Sequence, residues 1–286
     1  MCIDLPSRSR PLSHFAQMKP VMPHATAPLD LVTSVATGEL GIVDLTFTLS
    51  PDFPVIVLPP ELGQAAAIRI EEISHYDSRG PAAYWNNVSF SEHAGTHFDA
   101  PIHWFTGRDL PSNSVETMPV EHMIAPACVI DCSQSAQADA DFLLTVSAVE
   151  TWEAQHGAIP PRCWVFLRTD WSKRTGRDYA NLRDDGAHTP GPDASVIRWL
   201  VEQRDVLGFG TETIGTDAGQ AGHFQPPYPA HHYLHGAGRY GLQCLCNLDK
   251  LPAKGATIIA APLKIRNGSG SPLRVLALVS KCSSAD

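Results

Sequence analysis

Three imidazoles and a carboxylate fall within eleven residues of this chain. His93, His97, Asp99 and His103 lie in the stretch Ser91-Glu92-His93-Ala94-Gly95-Thr96-His97-Phe98-Asp99-Ala100-Pro101-Ile102-His103-Trp104. Nitrogen and carboxylate donors at this density are what a divalent cation and a proton shuttle require. A lone histidine near apolar residues is more often a satisfied core or surface group. The weight therefore rests on four groups gathered around one glycine.

The spacing restricts how these groups can meet. On a helix, 93 and 97 share a face, but 99 turns roughly 200° away from 97. On a strand all four share a side, yet the step from 93 to 97 spans roughly 13 Å. Two ligands bound at about 2 Å from one ion cannot be that far apart. The chain must bend between 93 and 97, and Gly95 can take the backbone angles of a tight bend. His97 and Asp99 then occupy a short extended run that Pro101 helps to end.

The elements that must position this segment are mostly strands. Short apolar runs rich in β-branched residues mark them at 41–49, 67–73, 127–131, 163–168, 206–214, 256–261 and 273–279. Two segments read as helices. In 145–155, Val146, Val149 and Trp152 recur at helical spacing after a capping Thr; in 193–203, Val196, Trp199 and Leu200 follow an Asp. The expected fold is α/β, a mixed β-sheet with a barrel-like core and few flanking helices, of the swivelling β/β/α type. Residues 31–286 read as a single domain preceded by an irregular arm, 1–30. No glycine-rich turn of the phosphate-cradling kind joins a strand to a helix, so a nucleotide site is not supported.

Composition narrows the partners. A formal charge of −9 without long Lys/Arg runs argues against nucleic acid or an anionic membrane. A small neutral or mildly polar molecule fits better. The odd set of Cys2, Cys128, Cys132, Cys163, Cys244, Cys246 and Cys282, scattered over 286 residues, reads as reduced thiols in a cytoplasmic protein. Cys244 and Cys246 alternate around Leu245, as strand residues packed on one face would. No apolar stretch approaches the roughly 20 residues of a membrane span, and the start lacks the apolar region of a secretory signal.

The run from His93 to His103 matches the pattern HxGTHxDxPxH and resembles the metal-dependent cyclase-like amidohydrolase family, which includes bacterial kynurenine formamidases and isatin hydrolases. The resemblance extends to Val43-Asp44-Leu45-Thr46, Phe166-Leu167-Arg168-Thr169, Ile214-Gly215-Thr216-Asp217, Leu245-Cys246-Asn247-Leu248-Asp249 and Gly270-Ser271-Pro272-Leu273-Arg274. It covers roughly residues 40 to 280. It implies that His93, His97 and Asp99 are metal ligands and that His103 is catalytic. In the formamidase branch a His and a Glu twelve residues apart bind a second metal, and the matching positions are His231 and Gln243. The carboxamide leaves a two-metal site short of one negative charge. Gln at this position resembles the isatin hydrolase branch, which implies one divalent ion on His93, His97, Asp99 and Gln243, Mn2+ favoured and Zn2+ the alternative. His231 is then free for proton transfer, with His232 next in order and His235 and His223 as further candidates.

Such an ion lowers the pKa of bound water toward about 7 and polarises an amide carbonyl, while His103 or His231 moves the proton. The reaction implied is hydrolysis of a cyclic amide, isatin to isatinate, with N-formylkynurenine or another cyclic amide or lactone as alternative substrates. Trp85, Asn86, Asn87, Trp104, Phe105 and Phe53 surround the motif in sequence, and a flat bicyclic lactam would stack against such rings. Of these, Tyr84-Trp85-Asn86-Asn87 is the expected substrate patch. Two other classes stay open. An iron-dependent oxygenase uses a triad whose first half His97-Phe98-Asp99 matches, and would need O2. A non-catalytic metal-dependent ligand sensor would bind without turnover. The resemblance also implies a homo-oligomer, with the N-terminal arm as a candidate exchange element.

Overall fold

The structure, a computed structural model, describes residues 27–58 and 63–280. The arm expected at 1–30, and its exchange role, fall almost wholly outside the described residues; helix α1 (Ala27–Thr37) is the first element. The strands used below are β1 (Leu40–Asp44), β2 (Arg69–Asp77), β3 (Gly80–Ser89), β4 (His97–Asp99), β5 (Ile124–Asp131), β6 (Trp164–Arg168), β7 (Gly208–Thr211), β8 (Tyr240–Gln243), β9 (Lys254–Ala260), β10 (Gly270–Pro272) and β11 (Val275–Ser280). Nine of them form one mixed sheet in the order β1-β11-β9-β5-β6-β7-β8-β4-β10. The four central strands β5 to β8 are parallel and the flanks antiparallel. Strands β2 and β3 make a separate two-stranded hairpin.

The centre of the sheet is buried on both faces, which is why β6 reads as a continuous apolar run. Trp164 and Phe166 point into one core with Phe98, Leu242 and Ile258. Val165 and Leu167 point into the other, with Phe209, and are covered by α2 (Val146–His156), α3 (Ala194–Arg204) and α4 (Pro229–Gly236) through Val149, Trp152, Val196, Leu200 and Leu234. The two expected helices start where their caps place them. Thr145 accepts from Ala148 N at 3.3 Å and Asp193 from Val196 N at 2.7 Å, each cap contributing about 1 kcal/mol. The expected pairing of Cys244 and Cys246 on one strand face is not seen. Strand β8 ends at Gln243, and Cys244 takes a left-handed φ of 51° in the turn that follows.

Strand β4 carries His97 and Asp99 between β8 and β10. Both cross-strand neighbours of Asp99 are glycines, Gly241 and Gly270. A Cβ at 241 would stand 2.8 Å from Asp99 Oδ2, and one at 270 would stand 2.5 Å from His93 Cε1. These glycines make room for the carboxylate and the ring. Thr96 ties the same segment to the turn after β8, donating through Oγ1 to Cys244 O at 2.5 Å and accepting from Phe47 N at 3.0 Å. Replacing Gly241 with Ala is expected to lower unfolding free energy by about 1–3 kcal/mol through overpacking against Asp99. Denaturant titration checks this; an unchanged midpoint would mean that the strand does not press on the carboxylate.

Candidate metal centre and active site

Gly95 has φ +63°, the bend the spacing requires, and it folds His93 back over β4. His93 Nδ1 lies 2.8 Å and His97 Nε2 3.3 Å from the same Asp99 Oδ1. Asp99 is fully buried and His97 nearly so. The ring of His103, on the single turn Pro101–His103, stacks on His93 with centroids 3.8 Å apart.

The donor set fits a cation. His97 Nδ1 faces the Gly95 carbonyl at 2.8 Å and must donate to it, so Nε2 carries a lone pair. That Nε2 is buried and has no hydrogen-bond partner, although it points at a carboxylate oxygen. Two acceptors at 3.3 Å with no proton between them are stabilised by a positive ion at their meeting point. Separations of this size are also what neighbouring ligands at about 2 Å from one metal show. Burial alone would raise the Asp99 pKa. The neighbouring imidazoles of His97 and His93 outweigh it and hold the carboxyl well below the usual range.

The opposite wall comes from α4. His231 and His235 are buried one turn apart on its inner face, and each can offer a nitrogen together with Asp99. His235 Nδ1 donates to Arg239 O at 3.1 Å, leaving a buried Nε2 without a partner. Burial, reinforced by the neighbouring His231, pushes the His235 imidazole down to about 4. His103 is likewise held well below its ordinary value, first by burial and then by the surrounding imidazoles. His231 goes the other way. Burial pushes it down, but the hydrogen bond between its Nδ1 and Asp217 Oδ2, at 2.5 Å, raises it overall.

Sequence reading gave Asp217 no role, yet it organises this wall. Its carboxylate accepts from Ala230 N at 2.7 Å and His231 N at 3.2 Å, capping α4, and also holds the His231 ring. The only signal for it was an acid in the Ile214–Asp217 run, an available partner for a buried histidine. Of the other candidates, His232 is turned out toward Phe105, and His223 is exposed and lines the cavity beside the cluster.

Gln243 lies beside Asp99 on the strand paired with His97. Its Nε2 donates to Asp99 Oδ2, and its Oε1 accepts from Gly215 N at 2.8 Å. Reversing the amide would set oxygen against carboxylate and NH2 against N–H, so the network fixes its orientation. The contact with Asp99 is thus a hydrogen bond through nitrogen, while the oxygen keeps one lone pair uncommitted.

A cavity of about 500 Å3 opens beside this cluster. His231, Asp217 and Gly215 form its inner end, with Val55–Leu58, Leu182, Ile214 and Ala218 along its walls. The expected substrate residues fall differently. Trp104 borders the site, its ring 5.0 Å from that of His231. Phe53 packs on Phe47 and Tyr179 instead, at 5.3 and 5.7 Å, and anchors the segment whose next residues line the cavity. Trp85 and Asn86 sit on the β2–β3 hairpin, Trp85 57% exposed, and neither lines the cavity. Strand pairing with Ser74 and Glu72 carries them out of the sheet that holds the metal motif.

A mixed sheet that gathers five imidazoles around the buried Asp99, beside an apolar cavity, forms a candidate metal site of the kind a hydrolase would use. The chain belongs to the cyclase family: the Cyclase family model matches residues 43–218. Isatin hydrolase of Roseibium aggregatum is 50% identical over 254 residues, covering 88% of this chain and 96% of that protein. The structure of isatin hydrolase A from Labrenzia aggregata bound to benzyl benzoate superposes with a TM-score of 0.88 at 61% identity, over 89% of this chain and all of that one. An isatin hydrolase bound to the product analogue thioisatinate gives 0.89 at 48% identity, over 91% of this chain and 100% of that chain.

Replacing Asp217 with Asn removes the cause of the raised His231 pKa. The limb of the pH–rate profile on which His231 loses its proton is expected to move to lower pH, and kcat to fall on the order of 10²-fold, with metal content unchanged. An unaltered profile would remove the Asp217–His231 pair from the chemistry.

Proposed function

We propose that this chain opens a flat cyclic amide by hydrolysis, with isatin as substrate and isatinate as product. The observation that carries the reading is the apolar cavity whose inner end is the Asp217–His231 pair beside Asp99. Relatives named isatin hydrolases, at 48–61% identity, support it. We propose one divalent ion per subunit, Mn2+ in preference to Zn2+, on His93, His97 and Asp99, with the uncommitted lone pair of Gln243 Oε1 as fourth donor. Charge supports a single ion, because Asp99 is the only carboxylate in both sets of candidate ligands.

When bound, the ion supplies Lewis acidity and a water of lowered pKa. The residues handle the protons. Water adds to the lactam carbonyl, the C–N bond breaks, and the ring nitrogen takes up a proton. His103, kept neutral by burial and held by its stack on His93, accepts the proton of the water. His231, held by Asp217 with one N–H committed, returns a proton to the leaving nitrogen. The apolar walls at Val55–Leu58 and Ile214 take the aromatic face of the substrate.

We also propose a homo-oligomer. A two-stranded hairpin is marginal alone in water, yet β2–β3 exposes Ile70, Tyr84, Trp85 and Val88. A second copy of the chain covers them, so the double substitution Trp85→Ser with Val88→Ser is expected to reduce the mass seen by light scattering. An unchanged mass would place the subunit contact elsewhere.

Ring opening of isatin and deformylation of N-formylkynurenine are to be compared on metal-stripped and Mn2+-loaded protein without O2. Isatin turnover restored by Mn2+ is expected, with formylkynurenine slower by about 10²-fold or more, a difference of about 2.7 kcal/mol. Preference for formylkynurenine would overturn the substrate, and dependence on iron and O2 would overturn the reaction class.

A further inference from the structure

Outside the ligand cluster, one polar chain ends on His93 and has no part in the mechanism above. His93 Nε2 lies 2.9 Å from Ser269 Oγ, and Ser269 Oγ lies 2.6 Å from Glu92 Oε2. The same Glu92 oxygen also accepts from Ser269 N at 3.1 Å. The flanking glycines hold this arrangement tight. A Cβ at Gly268 would stand 3.2 Å from Glu92 Oε1, and one at Gly270 would strike the His93 ring. Ser269 O accepts from Ala100 N at 2.9 Å, so the loop is fastened to the end of β4 as well.

Proton bookkeeping gives the chain a direction. A carboxylate only accepts, so the single hydroxyl proton of Ser269 goes to Glu92. The Ser269 oxygen is then an acceptor, and His93 must place its proton on Nε2 to meet it. This leaves the Nδ1 lone pair facing Asp99 Oδ1, 2.8 Å away, beside the lone pair of His97 Nε2.

We propose that Glu92, acting through Ser269, is a positioning residue for the metal centre: the relay fixes the tautomer and ring plane of His93 and makes Nδ1 the ligating nitrogen. A hydrogen bond to a carboxylate through one intervening group also makes the imidazole a stronger donor. The inference rests on the metal reading given above and assigns affinity to residues outside the ligand set. Glu116 supplies a built-in comparison. It holds the same loop, accepting from Asn267 N at 2.9 Å, but is not part of the Glu92–Ser269–His93 chain.

The test is Mn2+ affinity of the full-length protein, measured by competition with a chelator while free Mn2+ is followed by electron paramagnetic resonance. Ser269→Ala and Glu92→Gln are each expected to weaken binding about 10- to 100-fold, and the double variant no further than the weaker single one. Glu116→Gln is expected to leave affinity unchanged, and circular dichroism to show all variants folded. Wild-type affinity in both single variants, losses that multiply in the double, or an equal loss in Glu116→Gln would overturn the relay. A wild-type protein that does not bind Mn2+ would overturn the metal reading beneath it.

Discussion

A single carboxylate, Asp99, is buried completely among imidazoles, and the surrounding structure is arranged so that it can stay ionised there. Moving such a group out of water costs several kcal/mol unless partners compensate. Gln243 donates to one oxygen, and nitrogens of His93 and His97 converge on the other, where a cation would complete the compensation. The glycines opposite it in β8 and β10 are a direct consequence, since a Cβ there would stand where the carboxylate and its histidine need to be. The nine-stranded sheet thus brings three short segments, far apart in sequence, to one buried charge.

The two walls around that charge differ in chemistry. The wall from the His93–His103 run is rich in lone pairs that converge without protons, which suits a cation. The wall from α4 is built on an ion pair, Asp217 with His231, which suits proton delivery. His103 stands between them, stacked on one wall and 5.5 Å from the His231 ring of the other. The cavity opens on the side of the Asp217–His231 pair, so a molecule entering it meets His231 at its inner end.

The bend in the His93–His103 run could be read from spacing alone. The distance from 93 to 97 forced a bend, Gly95 was the residue able to make it, and the structure gives it a left-handed φ. The capped helices at Val146–His156 and Ala194–Arg204 were equally legible, because their apolar residues recur at helical spacing. The wall from α4 was not. Helix Pro229–Gly236 begins in a run of prolines and is rich in histidine, so it lacks an apolar stripe, and strands Tyr240–Gln243 and Gly270–Pro272 are too short and too rich in glycine to show a period. Nearness to the motif in sequence did not place Trp85 and Asn86 at this cavity. Trp85 and Asn86 are close along the chain but are carried away by the hairpin, and the cavity wall is formed instead by aliphatic residues at 55–58 that no motif marks.

Anomalous diffraction at the manganese edge from Mn2+-loaded crystals tests the central claim most directly. One peak per chain is expected, within about 2.0–2.3 Å of His93 Nδ1, His97 Nε2 and an Asp99 oxygen. Two peaks, or a single one between Asp99, His231 and His235, would contradict the division into a cation-binding wall and a proton-delivering one.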